Sequence, residues 1–285
     1  MEGHGNLERY VKWRKFKSNL ILFFTFLTAL YGLVWLVWII TDVTIKGFSN
    51  LSLDLLLKDP TPPGVEGGGL KHAFVGHLII TSLAVVLGVP IGIAAGVFFT
   101  EYGRYSRFVS LLRDLTDSIV SLPSIIVGTF IYAVMVKPVG HFFALSGSVS
   151  LALLMLPVIA ITTAQMLKMV PDSLREAAYA LGAYKWQVIK DVSLSVAKRG
   201  ILTGVILGIA RITGETAPLL FTSFNNNFTT YNIFEPMASL TVTIFVYVMG
   251  PYDDWHRKAW AASLILTIGT LMFFILAKIL VRAKK

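Results

Sequence analysis

The sequence predicts an all-α integral membrane protein with six transmembrane helices, and three observations lead to that expectation. Of its 285 residues 55% are hydrophobic and only 14% are charged, whereas a soluble globular domain carries about a quarter charged residues. Apolar runs close to the ~20 residues that a helix needs to cross ~30 Å of hydrocarbon recur along the chain. Lys and Arg collect in alternate loops, as an even number of crossings with a basic cytoplasmic side requires.

The first run, residues 20–40, follows a basic amphipathic arm (1–19) containing Arg9, Lys12, Arg14, Lys15 and Lys17. It is longer than the roughly 7–15 residues of a signal-peptide core, so a retained helix over 20–41 is expected. Residues 42–72 form the next external segment. Its Pro60-Thr61-Pro62-Pro63-Gly64 and Gly67-Gly68-Gly69 resist regular structure and predict a linker. The working core, 73–281, holds five further runs at 74–99, 118–136, 148–167, 201–221 and 259–280. A seventh run, 237–250, is short and is bounded by Pro236 and Pro251, which predicts a re-entrant or interfacial segment. With six spans, 18 of the 25 Lys and Arg fall inside, 6 outside, and Arg211 lies within the fifth span. Both termini, including the basic tail 282–285, are then expected on the cytoplasmic side.

The same composition excludes several classes of function. There is no Cys, and the five His lack ligand spacing, so no metal or redox cofactor is expected. The net charge of +9 follows from membrane topology and predicts no nucleic-acid partner. No G-x-x-x-x-G-K-[ST] loop occurs; any ATP and magnesium belong on another subunit.

Four features stand out as candidates for function. Gly88, Gly92 and Gly96 recur at steps of four in the second span, and Gly204 and Gly208 in the fifth. Such ridges let backbones touch in lipid; packing within the chain and a subunit interface or moving gate both fit. Pro123, between Ser121 and Ser124, predicts a kink in the third span, structural or gating. From Pro171 to Arg199 an amphipathic stretch predicts a helix-turn-helix elbow, with Ser173 and Glu176 spaced as a capping box and Gly182 ending the first helix. An interfacial loop holding Tyr184, Lys185 and Trp186 at the headgroups fits it as well. Arg211 lies about 15 Å into the fifth span, near the bilayer centre, where a charge costs at least about 2.5 kcal/mol. Glu215 at i+4 is placed to pair with it. A structural salt bridge and a part in an anion path are both open readings of that pair.

The elbow carries a resemblance. Glu176-Ala177-Ala178, three residues, Gly182, nine residues, Val192, one residue and Leu194 resembles the EAA loop of ABC importer permeases, with Val192 for the family's Ile and Ser195 for its Pro. Gly67-Gly68-Gly69, Glu101-Tyr102, residues 121–128 and the run 210–220 with Arg211, Thr213, Glu215, Thr216 and Pro218 are similar to the PstA type of phosphate permease, over about residues 70–282. The resemblance implies the MetI-like type I permease fold. It further implies a second phosphate permease subunit as heterodimer partner, an ATPase dimer, an external phosphate-binding protein, and a bacterial or archaeal inner membrane. It implies coupling to the ATPase through Glu176, Ala177, Ala178, Gly182, Tyr184 and Trp186, and a substrate path along Arg211, Thr213, Glu215 and Thr216. No bond chemistry is expected of the chain itself. A type I permease for another oxyanion, such as sulfate or molybdate, is the alternative; a secondary anion transporter is disfavoured by the lack of an inverted repeat.

Overall fold

A computed structural model describes residues 2–103 and 106–283; Arg104, Lys284 and Lys285 of the charge count lie outside the described residues. The helices run α1 (Glu2–Ser49), α2 (Leu53–Leu57), α3 (Lys71–Val97, extended by a π turn over Phe98–Tyr102), α4 (Arg107–Ser121) and α5 (Ser124–Ile131). A π turn over Tyr132–Val136 leads to α6 (Lys137–Val139), then α7 (Ala144–Lys168), α8 (Asp172–Ala180) and α9 (Lys185–Gln187). A π segment over Val188–Ser193 joins α9 to α10 (Leu194–Thr213), followed by α11 (Ala217–Leu220), α12 (Leu240–Met249) and α13 (Asp253–Ala283).

Among the described residues five helices are long and apolar enough to cross a membrane: Tyr10–Ser49, Lys71–Tyr102, Ala144–Lys168, Lys185–Thr213 and Asp253–Ile279. The third predicted span is corrected. In place of a kinked helix over 118–136 the chain folds a pair, Arg107–Ser121 and Ser124–Val139, bent by 107°, and only if this pair counts as one crossing are there six. Pro123 has no N–H to continue the helix and forces Leu122 into extended backbone (φ −73°, ψ 137°). The polar part of the stretch, with Asp114 and Asp117, therefore ends in the amphipathic α4, which buries Val109 and Thr116.

The fifth span also differs from expectation. It begins at Lys185, inside the expected elbow, and stops at Thr213 rather than 221. Pro218 leaves the carbonyl of Gly214 without its i+4 donor, and Gly214 is itself a weak helix former. Within residues 237–250 only Leu240–Met249 is helical, the ten-residue α12, about 15 Å long and half of what a crossing needs.

The N-terminal region is simpler than predicted and the segment 42–72 richer. Arm and first span are one 48-residue helix, since nothing in 1–19 breaks it. This helix leaves its apolar stretch unburied by the chain and packs near its end on α13, where Lys46 Nζ sits 4.6 Å from the Trp260 ring centroid. Residues 42–72 are no loose linker. Helix α2 is capped by the Ser52 hydroxyl and buries Leu55; Thr61 Oγ1 donates to the Val65 and Gly67 carbonyls at 2.9 Å; Arg257 reaches Glu66 at 3.0 Å. The Pro and Gly residues that argue against helix and strand here make a compact turn, with Gly64, Gly67 and Gly68 all at positive φ.

The core is built around α7, two-thirds of whose apolar stretch (67%) is enclosed by the chain. Glycine ridges approach it from two sides. A Cβ placed on Gly88, Gly92 or Gly96 would lie 2.7 Å from Met155, 2.9 Å from Ile159 and 2.5 Å from Thr163 respectively, which are successive turns of α7. From α10, Gly204 and Gly208 meet Thr162 and Met155 at 2.6 and 2.8 Å. Both ridges thus serve packing inside this chain, with backbones touching where lipid offers no hydrophobic drive.

Candidate functional site

Two places gather the candidate residues. The first is the elbow that follows α7. Helix α8 starts at Asp172 with Pro171 as its cap and no side-chain capping bond, so Ser173 lies within the helix and the expected Ser173–Glu176 box does not form. The turn after it does form as expected: Gly182 at φ +83°, with Gly182 N–H donating to the Tyr179 carbonyl at 2.9 Å and Ala183 N–H to that of Ala178 at 3.1 Å. This is a Schellman motif, in which a left-handed residue satisfies the last carbonyls of a helix. The α9 start is closed by Tyr184 N–H donating to Gln187 Oε1 at 2.8 Å.

The elbow is a presented surface. Glu176, Ala177, Gly182, Tyr184 and Trp186 are exposed and Ala178 half-buried. Leu181 is 90% exposed, Tyr184 71% and Trp186 56%, with Leu174 and Tyr179 beside them. Helix α8 buries none of its own residues and is instead anchored through Arg175. That guanidinium donates to the carbonyls of Leu167 and Val170 at 2.7 Å, to Asp172 Oδ1 at 2.9 Å and to Glu101 Oε1 at 3.0 Å.

The second place is the break after α10. Gly208 and Gly88 both touch Met155, near the middle of α7 and of α3, so Arg211 stands within about one turn of mid-depth. It is half-buried. The i+4 pair with Glu215 does not form, because the helix ends at Thr213 and Glu215 has left the helical path; among the described residues Arg211 makes no ion pair. Glu215 is held from its backbone, its carbonyl accepting from Thr241 Oγ1 at 2.8 Å. The Thr216 carbonyl accepts from the N–H groups of Leu219 and Leu220 as α11 begins. Thr213 points elsewhere: two residues from Arg211 and so on the opposite face, it lines an apolar groove of about 620 Å³ with Val85, Ile265 and Phe273. Its hydroxyl is committed to the Ile209 carbonyl at 2.8 Å.

The two breaks in the chain meet. A Cβ on Gly128 of α5 would lie 2.5 Å from Pro218 Cα of α11, so the helix opened by Pro123-Ser124 packs on the helix opened after Glu215. Ser121 ends α4 with its hydroxyl on the Asp117 carbonyl at 3.4 Å.

Residues 88–285 match the family model described as binding-protein-dependent transport system inner membrane component. The chain belongs to this family. Among similar sequences, the phosphate transport system permease protein PstA of Yersinia pestis is 45% identical over 273 residues, covering 96% of this chain and 92% of its own. The protein of the same name from Haemophilus influenzae is 44% identical over the full length of both. The probable one from Methanocaldococcus jannaschii is 38% identical, covering 73% of this chain and 74% of its own. Among solved structures, a bacterial alginate ABC transporter with its pentasaccharide-bound periplasmic protein superposes at TM-score 0.65, with 16% identity over 93% of this chain and 95% of that one. The inward-facing MetNI methionine ABC transporter does so at 0.58, with 18% identity over 75% and 94%. These likenesses establish the all-helical, MetI-like ABC permease fold.

Glu101, Gly128 and Pro218 stand in the motifs named above, but nothing in the sequence joined Glu101 to Arg175 or Gly128 to Pro218. Pro218 was visible as a helix breaker inside a span. An arginine in the first turn of a helix, where a cation opposes the helix dipole, signals a partner elsewhere, which is Glu101.

Proposed function

We propose that the chain is the membrane-spanning subunit of an ATP-driven importer that moves inorganic phosphate into the cytoplasm, both termini facing inward. It pairs with a second phosphate permease, receives phosphate from an external binding protein, and is driven by an ATPase dimer that holds ATP and magnesium. The observation that carries the reading is Arg211, a half-buried guanidinium near mid-depth with no ion-pair partner among the described residues. A charge at that depth is tolerated only where it meets water, protein or a counter-ion, and a path for an anion supplies two of these. Glu215 and Thr216 sit at the adjoining break, where Glu215 accepts the O–H that phosphate, unlike sulfate, carries near neutral pH. A buried acceptor left unpaired discriminates strongly against the ligand lacking the donor. Pro123, Ser121 and Ser124 set the opposing break.

The elbow from Glu176 to Trp186 is the ATPase contact in this reading, its exposed Tyr184 and Trp186 being the kind of anchors that fill a partner's groove. Gentle purification through a tag on this chain tests the class. An ATPase and a second permease are expected to copurify in defined stoichiometry; a monodisperse chain transporting anions without ATP would identify a secondary transporter instead.

A further inference from the structure

We propose that Glu101, assisted by Tyr102, is the tie through which movement of the elbow reaches α3, making Glu101 a positioning residue for coupling ATP hydrolysis to transport. This rests on the reading of α8 as the ATPase contact. Chain continuity joins the elbow to α7 through Met169, Val170 and Pro171, and to α10 through α9. No comparable stretch joins it to α3. What does join them is polar: the Arg175–Glu101 ion pair at 3.0 Å, with side chains only 13% and 10% exposed, and the Lys185 ammonium 4.4 Å from the Tyr102 ring centroid. Both residues of the Glu101-Tyr102 dipeptide therefore end on the elbow, one at each of its helices.

The local backbone serves this contact. The α3 helix widens into a π turn closed by Gly103 N–H donating to the Phe98 carbonyl at 3.0 Å, and such single π turns inside α-helices recur at functional sites. On the same turn Thr100 Oγ1 reaches the Ala164 carbonyl of α7 at 3.4 Å. Helix α8 buries no side chain of its own, and beside the ion pair lies a cavity of about 560 Å³ lined by Thr100, Arg113 and Lys168. The apolar contacts with α3 are made by Val170, Leu194 and Ala197 at the two ends of the elbow, whereas α8 itself is held by directional bonds. An ion pair shielded from water is costly to desolvate and is a poor means of mere stabilisation, whereas it fixes the relative position of two bodies that must move together.

The test uses the whole importer in proteoliposomes, with phosphate uptake and ATP hydrolysis measured on the same vesicles. Glu101→Gln keeps the side-chain volume and removes the charge. It is expected to assemble with the ATPase and to hydrolyse ATP under stimulation by the loaded binding protein, while phosphate moved per ATP falls at least tenfold; Glu101→Asp, which keeps the charge on a shorter stem, falls less. A parental ratio in Glu101→Gln overturns the proposal. So does a parallel fall of uptake and hydrolysis at constant ratio, which marks a structural role. If Glu101→Gln does not assemble, Glu101→Asp decides, and a parental ratio there overturns the proposal. Leu181→Cys, in a chain without other cysteines, is alkylated with a benzophenone maleimide and is expected to photo-crosslink to the ATPase. Failure to crosslink removes the reading of α8 on which the tie depends, whereas a crosslink with an unchanged ratio in the Glu101 variants removes the tie alone.

Discussion

Arg211→Gln is expected to lower phosphate uptake at least 100-fold while leaving the assembled complex intact. Glutamine keeps donors and approximate size but removes the charge. At about 4 Å and an effective dielectric near 20, the attraction to one anionic charge is about 4 kcal/mol, which in a barrier corresponds to roughly a thousandfold in rate. Assembly should survive because Arg211 makes no ion pair among the described residues, so its removal strands no buried partner there. Arg211→Lys is expected to fall between the two, since it retains the charge without the planar fork that binds oxyanions bidentately. Uptake at the parental rate in Arg211→Gln, measured on complex of normal composition, would sink the path assignment.

Gly96→Leu is expected to prevent accumulation of folded protein. A Cβ at Gly96 meets Thr163 Cβ at 2.5 Å and the backbone carbonyl of Ala160 at 2.7 Å, and a carbonyl of the central helix has nowhere to retreat. Overpacking a tight core costs about 1–3 kcal/mol, more where backbone must move, and α3 would be pried off the helix around which the core is built. Gly32→Ala supplies the control, because nothing lies within 4 Å of a Cβ there. Size-exclusion profiles and melting in detergent should separate the two variants. Equal melting temperatures would show that α3 and α7 do not pack as described.

How much of this was legible in the sequence depended on whether a signal is local. The Gly182 turn was readable because a helix end followed by glycine has one favourable outcome, the left-handed cap that forms. The glycine ridges announced close approach by spacing, but spacing does not name the partner, and only the fold places Met155, Ile159 and Thr163 opposite them. Apolar run length misled at the two breaks. Hydropathy is blind to the missing donors of Pro123 and Pro218, and it extended spans across both. The Arg211–Glu215 pair was inferred from i+4 spacing, which holds only while a helix continues, and this one ends between the two residues. The Glu101–Arg175 pair spans 74 positions, and no local pattern links them. Conversely, composition alone is a poor guide to residues 42–72, whose Pro and Gly shape a turn that Thr61, Glu66 and Arg257 hold in place.

Conduction of phosphate by this chain under the drive of a separate ATPase is what every other expectation rests on. Its most direct test is uptake of labelled phosphate by proteoliposomes containing the complete importer, with loaded binding protein outside and ATP inside, in competition with sulfate and molybdate. Accumulation is expected only with ATP, to persist in excess sulfate or molybdate, and to disappear in Arg211→Gln. Accumulation without ATP, or displacement of phosphate uptake by sulfate or molybdate at equal concentration, would contradict it.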